Sequence, residues 1–63
     1  MTEAAKLITL ARFIARRKVK EAMRANGIKP LEMEPSEINR AANVLLEYCR
    51  MELLAEARTM LSR

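Results

Sequence analysis

The chain has no histidine, no aspartate and no tryptophan, and only one glycine, one cysteine, two prolines, one phenylalanine and one tyrosine. Each shortage removes a class of chemistry. Without histidine the commonest general base is missing. One thiol forms no internal disulfide, and alone it cannot supply the four Cys or His ligands of a structural zinc site. A single glycine leaves no room for the glycine-rich phosphate loops of Rossmann or P-loop proteins. Glu52 and Glu56 are four residues apart and share a helical face, but a di-iron bundle would need histidines as well. We expect no enzyme activity, no catalytic residues, no metal, no cofactor and no small-molecule substrate.

Long apolar runs are also missing. No stretch approaches the length of a membrane span. The opening residues lack the apolar core and small-residue cleavage site of a secretory signal. An isolated cysteine of the buried type fits a reducing compartment, so the expected location is cytoplasmic. The expected role of Cys49 is that of a small buried hydrophobe.

What remains is rich in Ala, Leu, Met, Glu, Arg and Lys, the residues that favour helix, and 51% of the chain is apolar. The fold class read from this is all-α, with one domain over residues 1–63. Thr2 is the expected N-cap of a first helix, with Glu3 placed at its positive end. Asn26-Gly27 is a strong stop near Ala25, because both residues tolerate the left-handed backbone of a helix end. A linker over about 26–34 contains Pro30 and ends before Pro35, which suits a first helical turn. Glu34 or Ser36 is the expected cap there. A second helix is predicted from about Pro35 to Leu61, with no breaker inside it. In the linker Ile28, Leu31 and Met33 are expected to pack over the end of the helices.

Helical periodicity sorts the first helix into two sides. Ala4, Leu7, Ala11, Ile14, Ala22 and Ala25 form an apolar stripe, widened by Ile8, Leu10, Ala15, Val19 and Met23. Phe13 falls among cations on the opposite side, and Lys18 falls inside the stripe. The second helix carries a seam of Ile38, Ala42, Leu45, Cys49, Leu53 and Met60. Ala41, Val44, Tyr48, Met51 and Ala55 widen its arc beyond what one partner helix covers. Chains this short are marginal alone. The expected architecture is therefore a two-helix antiparallel hairpin pairing with a second copy into a dimeric four-helix bundle. Ile38, Leu45, Cys49, Leu53 and Met60 are the expected core and dimer interface.

Charge is segregated. Residues 1–30 hold eight Lys or Arg against two Glu, and residues 31–63 hold four Arg against six Glu. Arg12, Arg16, Lys20 and Arg24 follow a four-residue step and form one row on the first helix, with Arg17 beside it. Such a row can track a phosphate backbone, and Phe13 could stack on an unpaired base. Two functions stay open. One is a nucleic-acid-binding regulator, of RNA or DNA, using Arg12, Phe13, Arg16, Arg17, Lys20 and Arg24. The other is a structural or adaptor protein that docks a protein through the apolar surface of the second helix. The bland alternative for the basic face is a solvated surface whose cations pair with the acidic second helix, and the same pairing is the expected role of Glu52 and Glu56. A helix lying on an anionic membrane is disfavoured by Glu21 and by the core's need for the apolar stripe, and a protein partner with an acidic surface is the remaining option for the basic face.

The stretch ARFI, residues 11–14, resembles part of the first helix of the plasmid RNA-binding Rop family. That resemblance implies a dimeric four-helix bundle of helical hairpins that grips paired RNA loops with its first helices, using an exposed phenylalanine at the position of Phe13. It covers four residues. The linker here is longer than the family's, and the second helix has no matching motif.

Overall fold

The computed structural model describes residues 2–63. Three α-helices form, α1 (Glu3–Ala25), α2 (Pro35–Tyr48) and α3 (Arg50–Leu61), with one 3-10 turn over Pro30–Glu32 between α1 and α2. No strand is present among the described residues.

The ends of α1 are set by local hydrogen bonds. The Thr2 hydroxyl accepts from the Ala5 amide at 3.2 Å, which satisfies one of the free donors of the first turn. At the other end Gly27 takes φ +75. The Ile28 amide reaches back to the Met23 carbonyl at 2.9 Å, and the Gly27 amide to Arg24 at 3.1 Å. This pair of bonds is the Schellman arrangement. The Asn26 side chain adds a bond of 2.7 Å to the Ala22 carbonyl. Pro35 occupies the first turn of α2, and Glu34 precedes it as cap residue without a side-chain bond. The expected capping by a Glu34 or Ser36 side chain is therefore absent at this end. The Glu34 carbonyl instead receives the amides of Glu37 and Ile38.

The expected continuous second helix is broken at Cys49, where the backbone takes φ −119, ψ 29. The Cys49 amide still reaches Leu45 at 2.8 Å, and Leu53 reaches the Cys49 carbonyl at 3.0 Å. The chain thus bends sharply through one residue. No proline or glycine stands there, so the cause lies in packing. Pro35 and Ile38 share a groove with Arg24, while Val44 and Leu45 share one with Lys18 and Val19. Each step along α2 is therefore a step back along α1. A straight continuation would carry Glu56 to the first turns of α1. Instead Glu56 pairs with Arg17 and Lys18, roughly ten residues or about 15 Å away at 1.5 Å per residue. α3 therefore turns back across the middle of α1.

That return closes the core. Ala11, Ile14 and Ala15 of α1 have no exposed surface, and with Ala42, Leu53 and Ala57 they form one buried cluster. α2 alone would cover them from one side. Leu53 and Ala57 arrive from α3 and cover another. Burying a leucine is worth about 1.5–3 kcal/mol, and a net helical hydrogen bond about 0.5–1.5 kcal/mol. Burying Leu53 and Ala57, with partial burial of Leu54 and Met60, works against the cost of interrupting the helix.

The seam proposed for a partner is largely used within the chain. Ile38 and Leu53 are buried, and Leu45, Cys49 and Met60 are half-buried. Leu31 does not pack over the helix ends as expected, being fully exposed, and Ile28 is exposed too, while Met33 is half-buried. Ile14 and Leu53 are the largest fully buried side chains among the described residues. Ile14→Ala is expected to lower stability by about 2–5 kcal/mol, enough to melt much of so small a domain, as urea titration followed by circular dichroism would show.

Candidate nucleic-acid interface

The path of α3 decides which cations of α1 are free. Glu56 projects between Arg17 and Lys18, with its carboxylate oxygens 3.6 Å from Arg17 and 3.5 Å from Lys18. Arg17 also lies 3.9 Å from Glu21, one turn on. Lys18, which periodicity sets inside the apolar stripe, is thereby given a partner at the edge of the core. Among the described residues no other ion pair forms, so Arg12, Arg16, Lys20 and Arg24 keep their four-residue row without an acidic neighbour in range. Of the two glutamates expected to pair with cations, Glu56 does so and Glu52 has no such pair.

Arg12, Arg16 and Arg24 are exposed and Lys20 is half-buried. Phe13 stands among them, 61% exposed. A shallow cavity of ≈ 210 Å³ brings Phe13 together with Arg16, Arg17, Lys20 and Arg24. The sequence-derived set is thus assembled on one face, except that Arg12 lies beside a different groove with Ile8, Leu46 and Leu54. An aromatic ring bordered by guanidinium groups can hold a base by its face while the cations hold phosphates.

Two further features stand out, the first not visible in the periodicity and the second foreshadowed by the wide apolar arc of the second helix. The linker folds back beside the row and makes a larger groove of ≈ 780 Å³, whose walls include Arg16, Lys20 and Arg24. The second is a cluster of exposed apolar side chains at the α2–α3 bend, where Tyr48 is 82% and Met51 79% exposed, with Val44 close to half exposed. Tyr48 and Val44 also border an apolar cleft of ≈ 370 Å³ between α2 and α1. Cys49 is a free, half-buried thiol. Among the described residues no group of three His, Cys, Asp or Glu is placed to hold a metal ion. No helix there is long and apolar enough to cross a membrane.

Comparison with known proteins returns no matching family, no matching curated protein and no matching solved structure. The likeness of residues 11–14 to the Rop family implies a two-helix hairpin, whereas the described residues form three α-helices.

The Glu56 contacts are partly solvated, and pairs of this kind contribute little to stability. Glu56→Gln is expected to change the free energy of unfolding by less than about 1 kcal/mol while leaving the helical circular dichroism spectrum intact. A loss several times larger would mean that Glu56 holds α3 in place.

Proposed function

We propose that this protein is a small non-enzymatic regulator that binds nucleic acid, RNA or DNA, along the outer face of α1 and works as a homodimer. The observation that carries the reading is the division among the cations. Arg17 and Lys18 meet Glu56, and Arg12, Arg16, Lys20 and Arg24 meet no acid. A surface whose charges served folding would pair them with the acidic glutamates of α2 and α3. The row covers about 18 Å of helix at 1.5 Å per residue, a span suited to several consecutive phosphates, and Phe13 sits within it. The excess of arginine over lysine, eight to four, suits bidentate contact with phosphate oxygens.

Support for the dimer comes from surface area and from where apolar residues remain. The chain exposes 5016 Å², whereas folded monomers of this mass expose about 4,100 Å². The surplus includes Val44, Tyr48 and Met51. Two copies meeting over the cleft between α1 and α2 would bring two α1 and two α2 helices together, a four-helix contact with each α3 folded outside it. This assigns to a second copy the patch that an adaptor would offer to another protein.

Two measurements test these claims. In anisotropy titrations with mixed-sequence RNA and DNA at low salt, the native chain is expected to bind, with affinity falling steeply as salt rises, by about 0.7–0.9 log units per log unit of salt for each phosphate contact. Arg16→Glu with Lys20→Glu is expected to abolish binding without loss of helicity, and no association of the native chain at low salt would end the reading. Light scattering is expected to give twice the chain mass, reduced to one by Val44→Glu with Tyr48→Glu at unchanged helicity. A native chain that is monomeric at every concentration would return the patch to the adaptor reading.

A further inference from the structure

The groove between α1 and the linker has a composition that nucleic acid does not explain. One wall is cationic, formed by Arg16, Lys20 and Arg24, a fourth cation, Lys29, borders it from the linker, and the other side chains of the lining are apolar, including Ile28, Met33 and Ile38. It contains no aromatic ring on which a base would stack, and beyond the cations no polar side chain that would read a base edge. Its volume of ≈ 780 Å³ lies in the range of small-ligand sites, about 300–1,000 Å³. At its mouth Leu31 is 100% exposed, an apolar side chain on a turn made rigid by Pro30 with nothing in this chain covering it.

The geometry points to a binding site for a free long-chain carboxylate, with the hydrocarbon tail in the linker groove and the head group against Arg16, Lys20 and Arg24. Charge complementarity selects the head. The three cations have no acidic partner within the chain, so an anion there gains charge-assisted hydrogen bonds without displacing an internal pair. The apolar part of the lining, Ile28, Pro30, Leu31, Met33, Pro35 and Ile38, selects the tail, since it offers a long apolar chain burial. The groove is concave and half-open, bordered by α1, the linker turn and the start of α2, so a single laurate chain fills it where a flat bilayer surface would bridge it. Nucleic acid would share the same three cations, so the two ligands would exclude one another. The carboxylate site does not depend on the nucleic-acid reading.

The test is a titration of the full chain with laurate below its micelle concentration, followed by amide chemical shifts in the absence of nucleic acid. One saturable site is expected, with the largest shifts over residues 27–38. Dodecanol, which has the same tail without the charge, is expected to bind at least about tenfold more weakly, as is the chain carrying Arg16→Gln, Lys20→Gln and Arg24→Gln. Leu31→Asp, at a fully exposed position that leaves the core untouched, is expected to weaken laurate to a similar degree. Four results would overturn the proposal. These are no saturable shift, equal binding of laurate and dodecanol, shifts centred on Val44 and Tyr48, or a response only to phosphatidylglycerol vesicles.

Discussion

Ala11 and Ala15 of α1, Ala42 of α2 and Ala57 of α3 are all buried in the same cluster, and the rest of the molecule depends on that convergence. Alanine keeps a helix surface low, so three helices can approach one another closely around a short segment. It also contributes little apolar area. The larger buried side chains among the described residues are Ile14, Ile38 and Leu53. A core of this kind closes only when α1 is covered from more than one side. The bend at Cys49 follows from that need, because it is the return of α3 that brings Leu53 and Ala57 to the segment. The inner face of α1 is thereby committed, and its cations are left on the outer face.

The same return sets the electrostatics. Glu56 reaches α1 only because α3 crosses its middle, and it meets the two cations at the edge of that contact, Arg17 and Lys18. The cations of the row lie further round the helix, out of its reach. The row sets four of the chain's twelve cations on α1 and makes a local positive field there. At physiological salt that field extends only about 8 Å, so it acts at the surface of α1 and favours ligands that lie along it. The linker adds a second boundary. The turn at Gly27 sends the chain back beside Arg24 instead of away from it, which places aliphatic residues next to the free cations.

How much of this could be read in the sequence depends on the range of the interactions involved. The helix ends at Thr2, Asn26-Gly27 and Pro35 are written locally, in hydrogen bonds and backbone restrictions within a few residues, and they fall where the sequence places them. The face on which Phe13 and the cation row lie follows from helical periodicity alone. The bend at Cys49 does not, since φ −119, ψ 29 is open to any residue and no local signal marks it. The consequences of the bend were hidden with it: the partner of Lys18, the difference between Arg17 and its neighbours, and the use of Leu53 inside the chain. Leu31 illustrates a different limit. Alternation of apolar residues has directional meaning on a helix or strand, but in a turn led by Pro30 it does not say which side chain faces inward.

A domain with so few large buried side chains has little stability in reserve. Its folded population is then sensitive to anything that binds the folded form alone, by RT ln(1 + [L]/Kd). The surfaces left open lie away from the alanine contact, on the outer face of α1, in the linker groove and at the α2–α3 bend. A ligand or a second copy at any of them would hold elements that the core itself grips lightly, the linker and the bend in particular. The binding proposed here would therefore be coupled to folding. The row lies on α1, whose Ala11, Ile14 and Ala15 are buried by both α2 and α3, so its presentation depends on the core. The linker groove needs the Gly27 turn and the start of α2 in place, so occupancy there would report on, and reinforce, the assembled fold.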